Sequence, residues 1–317
     1  MTPERRLLLL RGASAALLLA LGGPLRADGG AQGAVGVADF DWFDAARGRA
    51  VPVRLYLPAG ASAARPVPLV VFSHGIGGSR RGYSYLGSHF ASQGVASLHL
   101  QHVGSDRSVW QGSVFGVVGR LQGAAQDAEA IARVQDLRFA LDQLLAAEPG
   151  IDSSRIVAAG HSYGANTSLL AAGAQVERDG RVLDLREPRV RAAIVLSAPP
   201  FYGEAALERV LGAVTVPTLH VTTADDVIRI PGYYSDAADR VKVFEATGSR
   251  RKTLAVFAAG SHSVFTDRVP NAALKQATQA LAVAFLHSVF DGDDSALRAW
   301  PERFGALLSR FSTGAAG

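Results

Sequence analysis

Short apolar runs alternate along this chain with longer stretches of helical period. "VGVADFDWF" and "AVPVRLYLP" alternate apolar and polar positions and are split by "DAARGR", a pattern that predicts an antiparallel hairpin. "PVPLVVFSHG" is a continuous apolar run, as expected of a strand buried on both faces. Residues 83–93, "YSYLGSHFASQ", suit a helix, and "GVASLHLQH" suits the next strand. Over 125–147, Ile131, Val134, Leu137, Leu141 and Leu144–Leu145 fall at helical spacing and make a core-facing stripe. Then come "RIVAAGHS", a helix from about 164, "RAAIVLS", a helix near 204–212, "TLHVTT", "TLAVFAAG" and a long helix over 271–290. The stretch "SALRAWPERFGALLSRF" reads as one more packing helix, with Trp300 in the core. This alternation predicts a mostly parallel sheet with helices on both faces and the opening hairpin as its antiparallel edge. No boundary divides residues 28–317, which are expected to form a single domain.

Composition sharpens the picture in two places. With 48% hydrophobic and 19% charged residues the chain has the profile of a large core and not of a disordered segment. The net charge of +4 would invite a nucleic-acid partner, but Arg5, Arg6, Arg11 and Arg26 against Glu4 put three of those charges in the first 27 residues. The remaining basic residues are scattered, with no Lys/Arg-dense stretch, so no nucleic-acid partner is expected. Residues 1–27 combine a basic start, an apolar stretch and a small residue at Ala27, the layout of a secretory signal peptide. Arg11 interrupts the apolar stretch and leaves it short of the roughly twenty clean residues of a membrane anchor. "ERRLLLL" resembles a twin-arginine signal, with Glu4 where that pattern prefers Ser or Thr. An exported, periplasmic or extracellular protein is expected. It would hold no disulfide and no lipoprotein anchor, because there is no cysteine.

The chemistry centres on "GHSYG", residues 160–164, between a predicted strand and a predicted helix. In that context Gly-x-Ser-x-Gly is a nucleophile elbow: the turn lifts the Ser162 hydroxyl clear of the sheet. Serine needs a base. Of the eight histidines, His262 in "AAGSHSVF" lies in a loop just past the last predicted strand, expected at the same sheet edge as Ser162. His99, His220 and His287 sit inside predicted elements and read as packing residues, and His161 is expected to point away from its neighbour Ser162. The imidazole needs an acid to hold its tautomer, and "TLHVTTADDVIRIP" offers Asp225 and Asp226. Asp226 is preferred, on the expectation that the following "VI" packs the loop down, and Asp225 remains the alternative, as a cap or a solvent-facing group. In "FSHGIGGSR", the glycines at 75, 77 and 78 allow a loop with inward N–H groups, so the Ile76 and Tyr163 amides are the expected oxyanion donors.

Taken together, "VVFSHGIGGSR", "GHSYG", the acidic loop and "GSHS" resemble an α/β-hydrolase, over about residues 36–290. More narrowly they resemble the bacterial relatives of platelet-activating-factor acetylhydrolase and dienelactone hydrolase. The resemblance implies the order nucleophile, acid, base, and oxyanion donors at Ile76 and Tyr163. Two departures stand out. The acetylhydrolase pattern has its aspartate after the strand that follows the nucleophile helix, where this chain reads "VLSAPPF", and dienelactone hydrolases use a cysteine that this chain lacks.

The long connection between His102 and Gln126 carries Trp110 and Phe115 and is either a lid or pocket wall, or a surface excursion. Trp110, Phe201 and Tyr202, with Tyr233 and Tyr234, would line an apolar pocket for a neutral ester, small or polymeric. Arg80 and Arg81 could meet a carboxylate or phosphate, or be solvated helix-entry charges. The expected activity is ester hydrolysis on Ser162 with His262 and Asp226. No cofactor or metal is implied. The rivals are a polyester, lipid or amide hydrolase using the same site, and a non-catalytic binding protein.

Overall fold

A computed structural model describes residues 35–178, 180–201, 206–230 and 233–314. The expected signal segment and Tyr202 lie outside the described residues. The strands are β1 (Gly36–Asp44), β2 (Arg49–Leu57), β3 (Val67–Ser73), β4 (Ala96–Leu100), β5 (Ile151–His161), β6 (Gln175–Arg178), β7 (Arg181–Asp184), β8 (Val190–Leu196), β9 (Thr218–Thr223), β10 (Ile228–Ile230), β11 (Tyr233–Ser235), β12 (Lys252–Phe257) and β13 (Leu308–Thr313). The helices are α1 (Ser84–Ser92), α2 (Val117–Ala124), α3 (Asp127–Ala147), α4 (Tyr163–Ala171), α5 (Leu207–Leu211), α6 (Ala237–Ala246), α7 (Ala272–Phe290) and α8 (Ser295–Phe304).

Nine strands form one sheet in the order β1-β2-β4-β3-β5-β8-β9-β12-β13. The six from β4 to β12 are parallel, and β1, β2 and β13 are antiparallel additions at the two edges. The continuous apolar runs are explained by alternation. In β3, Leu69 and Val71 join the core on the α3 and α4 face, while Val70 and Phe72 join the core on the α1 and α7 face. In β5, Ile156 and Ala158 divide from Val157 and Ala159 in the same way. Each of the Leu, Val, Ile and Phe side chains among them stabilises the fold by roughly 1.5–3 kcal/mol through burial. With both faces covered, the open ground for chemistry is the sheet edge where the parallel strands end.

Two parts of the fold differ from the sequence expectation. The C-terminal stretch is helical only to Phe304, and then β13 pairs antiparallel with β12. Trp300 is buried as expected, and Phe311 of β13 stacks on it with ring centroids 5.3 Å apart. Residues 300, 304, 307 and 311 satisfy a helical period, but the unpaired edge of β12 offers backbone partners that a helix cannot use. The hairpin β6–β7 was not expected either, although "VERDGRVL" carries the Asp-Gly turn signal between alternating residues.

Candidate active site

Ser162 joins the end of β5 to α4 with φ 56° and ψ −124°, on the left-handed side that β-carbon-bearing residues avoid. Two close approaches hold it there. A β-carbon at Gly164 would lie 1.9 Å from the Ser73 carbonyl oxygen, and one at Gly160 would lie 2.2 Å from the Gly164 oxygen. Only glycines let α4 sit this close to β3 and β5, and that proximity forces the tight turn.

Ser162 Oγ lies 2.8 Å from Nε2 of His262, and His262 Nδ1 lies 2.7 Å from Oδ1 of Asp226. A carboxylate accepts only, so Nδ1 carries the proton and Nε2 is left as the acceptor for the Ser162 hydroxyl. Asp226 is fully buried and His262 is largely so. Burial pushes the Asp226 carboxyl up, but the hydrogen bond and charge of His262, with the charge of Arg240, outweigh it and hold the carboxyl well below the usual range. Asp225 is exposed. Packing by the following pair is only partial, with Val227 41% exposed and Ile228 half-buried. The Asp226 N–H bonds the Thr223 carbonyl, and the Thr222 hydroxyl donates to Oδ2 at 2.7 Å.

A β-carbon at Gly75 would come within 3.1 Å of Ser162 Cβ, so the loop bearing Ile76 borders the serine. Among the described residues, the Ile76 and Tyr163 N–H groups have no acceptor. His74 sets the attitude of the first of these: its Nδ1–H donates to the Gly75 carbonyl at 2.7 Å. The Gly75–Ile76 peptide is planar and trans, so fixing its C=O fixes its N–H.

The model of the alpha/beta hydrolase family matches residues 70–315. The chain belongs to that family. Among solved structures, a novel cold-adapted esterase from an Arctic intertidal metagenomic library, in a PEG-bound complex, resembles it with a TM-score of 0.53. That likeness spans 90% of this chain and 98% of the esterase at 18% identity, and it speaks to fold. No curated protein matches the chain.

This alpha/beta hydrolase supports its site with residues that the sequence did not single out. The His161 ring lies beside that of His262, with centroids 4.8 Å apart, and its Nε2–H donates to the His262 carbonyl at 2.8 Å. Its Nδ1 accepts from the Tyr83 hydroxyl, also at 2.8 Å. Burial and the adjacent His262 push the His161 pKa down to about 3, so the ring is a neutral strut for the loop that carries the base. Arg240 of α6, itself buried, reaches Asp226 Oδ1 at 3.4 Å. Behind the loop bearing Ile76, α3 places Arg133 and Asp136 in the interior, both fully buried. Asp136 accepts from Arg47, Arg49 and His102. The signal for this was present: Glu129, Arg133 and Asp136 share one helix face with Ala140, charged residues at positions of core spacing.

Trp110 donates its indole N–H to the Gly77 carbonyl at 3.1 Å and lies over the loop bearing Ile76, half exposed. The connection from His102 folds into two short 3₁₀ turns and α2, tied together by Arg120 to the carbonyls of Val109 and Ser113. Phe115 within it is 95% exposed. Phe201 is buried in the core on the α3 and α4 face. Arg80 is bonded to Asp41 and to the Phe40 and Val53 carbonyls, and Arg81 to Asp39, so both are engaged by the opening hairpin. A cavity of about 300 Å³ lined by Pro217, Arg251, Thr253 and Phe285 lies at the opposite end of the strands from Ser162. Among the described residues, no cluster of His, Asp and Glu is arranged to hold a metal, and no helix is long and apolar enough to cross a membrane.

Proposed function

We propose that this alpha/beta hydrolase cleaves carboxylic esters through an acyl-enzyme on Ser162. The observation that carries the reading is the hydrogen-bonded chain Ser162–His262–Asp226, built on a strained turn and bordered by two unbonded amides. As Oγ attacks the ester carbon, a C–O bond forms and the hydroxyl proton passes to His262 Nε2. The carbonyl oxygen takes up the negative charge, and the Ile76 and Tyr163 N–H groups receive it. One such donor is worth about a hundred- to a thousandfold in rate. Asp226 stabilises the imidazolium, which then protonates the departing alcohol as the ester C–O bond breaks. Water repeats the sequence and releases the acid.

A neutral ester, small or polymeric, fits the surroundings. Exposed apolar side chains stand near this edge, with Trp110 over the loop bearing Ile76 and Val227 following Asp226. The nearby arginines 80 and 81 are already engaged. A fluorophosphonate probe is expected to label the wild type at Ser162 and to leave Ser162→Ala unlabelled, with hydrolysis of a neutral p-nitrophenyl ester lost in step. Undiminished hydrolysis by the alanine variant would end this reading. We further propose that the chain is exported, so that mass spectrometry of the mature protein finds a start near Asp28; an intact Met1 in the cell envelope would contradict it.

A further inference from the structure

A fully buried guanidinium needs a reason. Arg133 is 0% exposed, and among the described residues no carboxylate stands within ion-pair distance of it. Its partners are neutral. Nε donates to Thr167 Oγ1 at 2.9 Å, one terminal nitrogen to Ser105 Oγ at 2.7 Å, and the other to the His74 carbonyl. Its guanidinium also lies over the Tyr163 ring, 4.7 Å from the centroid. Glu129 and Asp136, whose charges act on it from beyond contact, are both engaged by Arg49, Glu129 also by the Ser105 hydroxyl. Burial lowers the Arg133 pKa only to about 10, so the charge is present at neutral pH. A cation desolvated without a partner charge costs several kcal/mol.

The place of this cation is informative. His74 is two residues before Ile76, and Thr167 is four residues after Tyr163 on α4, where its hydroxyl also bonds the Tyr163 carbonyl. Arg133 therefore touches both chain segments that carry the unbonded amides, from the interior side. We propose that Arg133 is an electrostatic support for the oxyanion site, lending a fixed positive charge beneath the two donor segments. The anion it lacks in the resting protein is the one that forms transiently on the substrate. In a water-poor interior a fixed charge of this kind acts at little reorganisation cost.

The inference rests on the serine-hydrolase reading, and the test separates the two. A fluorophosphonate needs no identified substrate: the Ser162 Oγ–P bond forms, the P–F bond breaks, fluoride leaves, and His262 takes the proton while charge builds on the phosphoryl oxygen. The probe rate is measured for wild type, Arg133→Met, Arg133→Lys, Thr167→Val and Ser105→Ala, beside thermal melts. The binding of a phenylboronic acid, whose adduct on Ser162 is a tetrahedral anion, is measured in parallel. Arg133→Met is expected to lower the probe rate and boronate affinity together by about ten- to a hundredfold, less than a direct donor is worth, with KM for a neutral ester little changed. Lysine should recover most of that loss. Thr167→Val and Ser105→Ala, which strip one bond and keep the charge, should stay within about threefold. A folded methionine variant labelled at the wild-type rate overturns the proposal. So does a lysine variant as slow as the methionine one, or a loss in Thr167→Val and Ser105→Ala beyond about tenfold. If the methionine variant does not fold, the lysine, valine and alanine variants decide by the same limits. A wild type that resists the probe altogether defeats the hydrolase reading, and this inference with it.

Discussion

The described residues hold two hydrogen-bonded Ser–His–Asp chains, and only one lies at the open edge of the sheet. In the first, Asp226 holds His262 and His262 faces Ser162, at 2.7 and 2.8 Å. In the second, Asp136 holds His102 and His102 faces Ser73, at 3.0 and 3.0 Å. The connectivity and tautomer are the same: Nδ1–H to the acid, Nε2 to the hydroxyl. The surroundings differ. Ser162 sits on a strained turn at the sheet edge, and His262 keeps 17% of its side chain exposed. Ser73 and His102 are 0% exposed. Burial and the nearby charge of Arg133 push the His102 pKa down to about 4, against the pull of Asp136, so this ring resists becoming the cation that a base must become. Asp136 also spends its oxygens on Arg47 and Arg49. Hydrogen-bond order alone thus does not make a nucleophile; access, and room for the charge that follows, decide.

The comparison can be broken by exchanging the roles of its members. Asp226→Asn should lower kcat for a neutral ester by about ten-thousandfold with the protein still folded. Ser73→Ala should leave kcat within about threefold and instead lose roughly 1–3 kcal/mol of stability. Steady-state kinetics and denaturant melts read both, and a Ser73→Ala enzyme as inactive as Asp226→Asn would erase the distinction. Asp136→Asn should fail in the other coordinate, costing about 3–5 kcal/mol because two arginines lose a buried partner. A stable Asp136→Asn protein would show that the inner hydrogen-bonded chain is not structural.

Acid should strain the interior through its buried histidines. His74, His99, His102, His161 and His220 are all buried, and desolvation drives each below its ordinary pKa, His99 and His102 to about 4 and His161 and His220 to about 3. For a histidine depressed in the folded state, the unfolded chain binds the proton first. Stability is therefore intact above about 6.5 and falls as pH drops toward 4. Each group contributes up to about 1.4 kcal/mol per pH unit, and the five together up to about 7. A melting temperature that stays level from pH 7 to 5 would refute this. The smallest effect is expected of Tyr83→Phe, which leaves His161 Nδ1 without its donor: about 1 kcal/mol of stability, with kcat lowered more than KM is changed.

The site's outer members were legible because each announces itself locally. Ser162 lies between two glycines at a strand end, and His262 and Asp226 lie in loops after strands. The preference for Asp226 over Asp225 agrees with the observed contact, with the Thr222 hydroxyl donating to Asp226 and the following pair only partly packed. Arg133 left a trace in its core spacing on α3, but His74 and His102 left none, because their partners lie far off in the chain: Arg133 and His74 are 59 residues apart. A charged residue on a helix reads as solvated until the sheet it packs against is known.

What the sequence alone determined is the alternation of strand and helix and the turn at 160–164, since apolar period and glycine placement act over a few residues. What the tertiary structure decided is which histidine meets which carboxylate, and which serine meets water. Those outcomes depend on the order in which parallel strands lie side by side, with β5 between β3 and β8, and on the depth at which each strand ends. Burial and distance then set the charge each group can carry, and neither quantity exists before the chain has folded.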